Sequence, residues 1–502
     1  MSSNGAYERL AAYLRDSSVL HSCSRMLGWD QETYMPREAA ELRGNQLAMI
    51  SGLHHRRQAA TEFRDLIGAA DDENADAAPD SVVAANLREA RRDYELATKV
   101  PAALVEEKAR TTTLARRAWA EGREANDFAR FCPWFEKIID IARRMADALG
   151  YDEHPYDALL DKYEQGATTA QLQQLFAPLR DAHVDLVARI QDSGRPVDAS
   201  CLRGAFPADQ QDAFAREVTK AIGFDYDRGR LDTTVHPFCM GVGPTDVRLT
   251  TRYDPSFFGD GLFSALHEAG HGMYEQGVRR DDFGLPSGQS CSLGIHESQS
   301  RLWENLVGRS RGFWTHFYGT AQKRFASLSG VSLDDFLRAI NEVRPSFIRV
   351  DADEVTYNLH VFLRFELELA LISGDLAVAD LPDAWNEKFE QSFRLRPPND
   401  AKGCLQDIHW SAGLFGYFPT YTLGNVYAAQ IYNKARAELG DLEAAFARGE
   451  FTPLRSWLNR EIHERGRQYL PHRLVEKVTG AVPQPQPLID QLESKYGAVY
   501  GL

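Results

Sequence analysis

Only one stretch of this 502-residue chain, Arg230 to Tyr253 (RLDTTVHPFCMGVGPTDVRLTTRY), carries the alternation of β-branched and polar residues that strands need. Its Gly-Val-Gly-Pro-Thr-Asp centre reads as the turn of a small antiparallel hairpin. On either side the apolar residues recur at helical spacing. Leu104, Leu114 and Trp119, then Phe131, Phe135, Ile138, Ile139 and Ile141, do so in the first half. Leu262, Leu266 and Met273, then Leu302 and Leu306, then Leu359, Leu363, Leu367 and Ala370, do so in the second. The pattern predicts a mainly α fold of packed helices with one small β-sheet. The acidic tract Asp71 to Asp80 (DDENADAAPD) reads as an exposed connection between helices, too short for an interdomain linker. With no linker elsewhere, residues 1–502 are expected to form one unit, two helical halves around a groove.

Composition narrows the partners. With 43% hydrophobic and 26% charged residues the chain can bury a large core. Lys+Arg 57 against Asp+Glu 72 leaves −15, without a basic cluster, which argues against nucleic acid and anionic membranes as partners. No run of about 18 apolar residues occurs, and the N-terminal MSSNGAYERLAAYLRD lacks an apolar signal core. The six cysteines, at 23, 132, 201, 239, 291 and 404, form no CxxC and read as reduced thiols. These features point to a cytoplasmic protein that does not enter membranes.

The chemistry lies in His267-Glu268-Ala269-Gly270-His271, an H-E-x-x-H. On a helix the two histidines, four residues apart, face one side and can bind one Zn²⁺, while Glu268 is placed to take a proton from water. A catalytic zinc site needs a third protein ligand and an open position. The extended signature that would supply a third histidine is absent, since position 274 is Tyr and 277 is Gly. Glu275 shares the helical face but lies eight residues from His267, about 12 Å along the axis, too far to share an ion. The third ligand must come from another segment. His296 and Glu297 open the next helical run, and periodicity does not choose between them. A glutamate on the helix after the motif is the gluzincin arrangement, which favours Glu297.

Seven segments in order resemble the carboxypeptidase Taq family of zinc metallopeptidases. They are Trp29-Asp30-Gln31-Glu32-Thr33 with Met35-Pro36, His236-Pro237-Phe238, the D-x-R-x-T of Asp246 to Thr250, the H-E-x-x-H, His296 to Gln299, Ile348 to Asp353, and Gly403 to Trp410. The resemblance implies an almost wholly helical fold with a deep central groove, shared in outline with neurolysin-like peptidases. It also implies a homodimer that removes single C-terminal residues from peptides with broad specificity. Carried over by position, His267, His271 and Glu297 are the zinc ligands and Glu268 the general base. Co²⁺ would suit the same ligands.

Three further roles follow from what the reaction requires. A tetrahedral oxyanion needs a hydrogen-bond donor, for which His409 and Tyr421 are the candidates. A free C-terminal carboxylate suits a bidentate guanidinium, for which Arg349 and Arg248 are the candidates, each otherwise explained as an ion pair with a nearby aspartate. His236, in the H-P-F segment, is placed by the resemblance at the closed end of the groove as a substrate-binding residue. The same gluzincin chemistry would also serve an oligopeptidase cutting peptides internally, and a metal-binding protein without catalysis is disfavoured by the presence of Glu268.

Overall fold

The computed structural model describes residues 5–502. Helices dominate, a single three-stranded sheet interrupts them, and none of the described helices is long and apolar enough to cross a membrane. The chain divides into two compact units, each assembled from separate stretches of sequence. The first takes the described residues up to Thr98 with Val197–Ile340 and Tyr427–Val482, and the second takes Lys99–Pro196, Asn341–Val426 and Pro483–Leu502.

In the first unit the helix Ala6–Thr33 packs on Ala40–Gln58 and Thr61–Glu73 around Leu10, Tyr13, Phe63, Ile67 and Leu87. The acidic tract only partly forms the expected connection: helix Thr61–Glu73 runs three residues into it, and the next helix begins at Val82. A second core in this unit is aromatic, with Phe206, Phe214, Phe258, Trp314, Phe325 and Phe336 buried ring against ring.

The sheet contains the expected hairpin and adds a third strand to it. Strands β1 (Gly229–Thr233), β2 (Cys239–Gly243) and β3 (Asp246–Thr251) take the order β1-β3-β2. β2 and β3 do form an antiparallel hairpin about Pro244 and Thr245, but β1 pairs with β3 in parallel. The intervening Thr234–Phe238 carries Pro237, which lacks a ladder donor, and an exposed Val235; it leads the chain across to the far edge. Helix Gly259–Gly277 packs along β3 and against helices Ala208–Ile222 and Leu293–Arg301.

The second unit is built around helix Glu354–Ser373, which packs on Thr169–Asp192, Leu381–Phe393 and Cys132–Leu149. This helix is buried nearly all round, yet Asn358, His360, Arg364 and Glu368 lie among its fully buried residues. Burying such groups is costly unless they are paired, and Glu368 and Asn358 are. Glu368 accepts from Tyr156 Oη at 2.6 Å, Trp410 Nε1 at 2.8 Å and Gly416 N at 3.1 Å. Asn358 Oδ1 accepts from Thr422 Oγ1 at 3.0 Å and Asn425 Nδ2 at 2.9 Å. Helix Ala102–Ala125 departs from the expected face, burying Leu104, Thr111 and Ala115 while Leu114 is exposed.

Candidate functional site

The H-E-x-x-H lies in the middle of helix Gly259–Gly277, with Leu262, Leu266 and Met273 buried on its core side. The helix that follows the motif, Leu293–Arg301, comes unusually close to it at Gly270. A Cβ there would lie 2.5 Å from Gln299 O and 2.6 Å from Ser300 Cα, so only glycine admits this approach. The closeness delivers Glu297 to the histidines: its Oε2 is 3.6 Å from His267 Nε2 and 3.4 Å from His271 Nε2. All three ligand atoms lie within 4.8 Å of one another. Two atoms each about 2.1 Å from a tetrahedral ion are separated by about 3.4 Å, so these three side chains fit a divalent metal such as zinc. Beside this trio, His296 turns its Nε2 to Glu275 Oε1, 2.9 Å away.

A set of charges around the trio was not foreseen. Immediately after Arg301 the helix widens into a π turn, Leu302–Val307, closed by Gly308 N donating to Trp303 O at 2.9 Å. Within it Glu304 accepts from His267 Nδ1 at 2.8 Å, which fixes the tautomer that leaves Nε2 as a lone pair facing Glu297. Arg301 Nε donates to Glu297 Oε1 at 2.7 Å, and its Nη1 to Glu304 Oε2 at 3.3 Å. Glu297, Arg301 and Glu304 are spaced i, i+4, i+7, one face of a helix, and that spacing was the available signal.

The electrostatics favour a cation here. Burial pulls His267 down, but Glu297, Glu304 and Glu268 outweigh it and leave the imidazole raised above its ordinary value. Burial raises Glu297, yet Arg301, His267 and His271 hold it well below the usual carboxylate range. Burial and the neighbouring His296 push His271 down to about 3, so its imidazole is neutral, the form a metal requires. Glu268, buried beside His267, is pushed up by desolvation to about 7, a value suited to accepting and returning a proton.

Three of the resembling segments lock together elsewhere in the first unit. Phe238 N donates to Thr250 Oγ1 at 2.8 Å, and that hydroxyl donates back to Phe238 O at 3.0 Å, tying H-P-F to D-x-R-x-T. Arg248 grips Asp246 through Nε and Nη2, both at 2.9 Å, and its guanidinium lies 4.2 Å from the ring centroid of Trp29. The tryptophan of W-D-Q-E-T is thus a platform for a cation. His236 is exposed in the loop between β1 and β2.

In the second unit Arg349 is buried, and the aspartate it pairs with is not one of its near neighbours in sequence, Asp351 and Asp353, but Asp407. Its Nη2 donates to Asp407 Oδ1 at 2.8 Å, its Nε to the same oxygen at 3.2 Å, and its Nη1 to Tyr357 Oη at 2.9 Å. Arg364 Nε donates to Asp407 Oδ2 at 2.7 Å. Burial raises Asp407, but the two guanidiniums hold it far below the usual range. Asp353 instead caps helix Glu354–Ser373, accepting from Val355 N and Thr356 N at 3.0 Å each. His409 Nε2 lies 3.4 Å from Tyr421 Oη, while its Nδ1 is 3.7 Å from Asp407 Oδ1, too long for a hydrogen bond. Burial pushes His409 down to about 4. Arg364 was not singled out from sequence; Asp407 lies in the Gly403 to Trp410 segment and was read there only as a possible partner of His409.

Comparison with known proteins shows the family of the chain. The sequence profile of the carboxypeptidase Taq (M32) metallopeptidase family matches residues 9–496. The chain is 45% identical to thermostable carboxypeptidase 1 of Thermus thermophilus, over 100% of both chains. It is 39% identical to carboxypeptidase 1 of Bacillus subtilis, over 98% of this chain and 97% of that one. The crystal structure of the M32 carboxypeptidase from Deinococcus radiodurans superposes with a TM-score of 0.96 at 42% identity, covering 99% of this chain and 100% of that one.

Proposed function

The chain belongs to the carboxypeptidase Taq (M32) metallopeptidase family and is a metallocarboxypeptidase, and from that premise we propose that it uses zinc to release single residues, with broad specificity, from the free C-terminus of peptides. The observation that carries this reading is the convergence of His267 Nε2, His271 Nε2 and Glu297 Oε2 at tetrahedral-edge spacing. These residues would hold the ion, with Co²⁺ as a substitute. When bound, the ion supplies Lewis acidity, polarising a carbonyl and acidifying water.

The chain's own residues supply the proton transfers. Glu268 takes a proton from the attacking water as the oxygen bonds to the scissile carbonyl carbon, and gives it to the amine nitrogen as the C–N bond breaks. His409 and Tyr421 are proposed as donors to the oxygen that becomes negative in the tetrahedral species. Arg349, Arg248 and His236 are proposed to hold the substrate. In both arginines the Nε–Nη2 edge grips an aspartate; Nη1 of Arg349 also donates to Tyr357 Oη, so a second carboxylate would share that guanidinium with the tyrosine. Residues 1–502 are proposed to act as one catalytic domain, as a cytoplasmic homodimer, on the strength of the resemblance and of six free thiols.

The deciding experiment is mass spectrometry of one peptide as free acid and as C-terminal amide, before and after chelation and zinc restoration. A ladder of C-terminal losses from the free acid alone, abolished by chelator and restored by zinc, is expected. Internal fragments from both forms would instead identify a gluzincin oligopeptidase.

A further inference from the structure

His267 and His271 lie one helical turn apart, yet their outer nitrogens are treated differently. Glu304 holds Nδ1 of His267. Nδ1 of His271 is buried and meets no hydrogen-bonding group among the described residues. The torsion that turns an imidazole about its Cβ is broad, so a ring without such a bond must be oriented by packing. The packing partner is His296, whose ring stacks on His271 with centroids 4.3 Å apart and planes 21° apart.

His296 is itself pinned, its Nε2 lying 2.9 Å from Glu275 Oε1, with the ring of Tyr274 5.4 Å away. Glu275 follows His271 by four residues and so lies one turn further along the same face. Space for its carboxylate is made by Gly241 in β2, where a Cβ would come within 2.6 Å of Glu275 Oε2. Strand, motif helix and following helix thus each contribute to one arrangement. Glu275 and His296, both residue types that can bind a metal, bind each other instead.

Resting on the ligand set proposed above, we infer that Glu275 and His296 are positioning residues for the metal: Glu275 fixes the His296 ring, and the stacked ring holds His271 so that its Nε2 faces Glu297. The pair does for His271 by stacking what Glu304 does for His267 by a hydrogen bond.

The test uses the full chain stripped of metal, with the zinc dissociation constant read by chelator competition and the visible spectrum of the Co²⁺-loaded protein as a second readout. His296→Ala should weaken zinc binding about 10- to 100-fold and alter the Co²⁺ spectrum. His296→Phe, which keeps a stacked ring, should recover most of the affinity. Glu275→Ala should weaken binding in the parent but add nothing in the His296→Phe background, where the bond it makes is already gone. Thermal melts establish that each variant is folded, and His296→Leu carries the same expectation should the alanine variant not fold. Wild-type affinity and spectrum in a folded His296→Ala protein would overturn the inference. So would a His296→Phe protein as weak as Glu297→Ala, since His296 would then be donating a nitrogen itself. Glu297→Ala that binds zinc normally would overturn the ligand set rather than the brace alone.

Discussion

Glu304 Oε2 lies 2.8 Å from His267 Nδ1, and it gets there from a π turn rather than from the α-helix that carries Glu297. Arg301 joins Glu304 to Glu297. A ligand and the group that orients another ligand are therefore presented by one short segment. Removing the carboxylate in Glu304→Ala should weaken zinc about 10- to 100-fold and leave the fold intact, as read by chelator competition and circular dichroism.

Glu268→Gln should retain stoichiometric zinc but lose turnover by about 10²- to 10⁴-fold, because the amide cannot take up the proton. Metal analysis alongside kcat on a free-acid peptide checks both halves. Normal turnover with zinc bound would remove Glu268 from the mechanism.

Gly270→Ala forces a methyl against backbone on the neighbouring helix at 2.5 Å and 2.6 Å, where no side chain can move aside. The helices must part, at a cost of about 1–3 kcal/mol, and Glu297 moves with them. A lowered Tm together with weaker zinc retention is expected, and an unchanged Tm would contradict the close approach.

Glu368 gives a pH dependence of stability whose sign can be worked out. Burial raises its pKa from 4.5 to about 7, against the lowering effect of its three donors. Between those values the folded protein holds a proton that the unfolded chain has lost. The favourable contribution is thus complete below about 4.5 and disappears as pH climbs through 7, with a slope of up to about 1.4 kcal/mol per pH unit. Urea midpoints measured from pH 4.5 to 7.5 should show this decline, and Glu368→Gln should flatten it even where its overall stability is lower.

Arg248→Lys and Arg349→Lys separate anchoring from architecture. The arginine that holds the substrate carboxylate should, when replaced, lower kcat/KM for a free-acid peptide while zinc binding is unchanged. If neither replacement lowers kcat/KM, both guanidiniums serve only Asp246 and Asp407.

The sequence by itself determined the helical class, the location of the three-stranded sheet and the residues able to bind a metal. Helical periodicity and the i, i+4 spacing of His267 and His271 are local properties, fixed by 3.6 residues per turn. It also marked Trp29, Phe238, Arg248 and Arg349 as belonging to meaningful segments, without saying what they touch. Tertiary structure alone decided the partners. The parallel pairing of β1 with β3, the Arg349–Asp407 pair across 58 residues, and the choice of Glu297 rather than His296 beside the histidines depend on how distant segments dock. That docking rests on space, as at Gly270 and Gly241, and on the demand that buried charges be paired. Neither leaves a periodic signature in the chain.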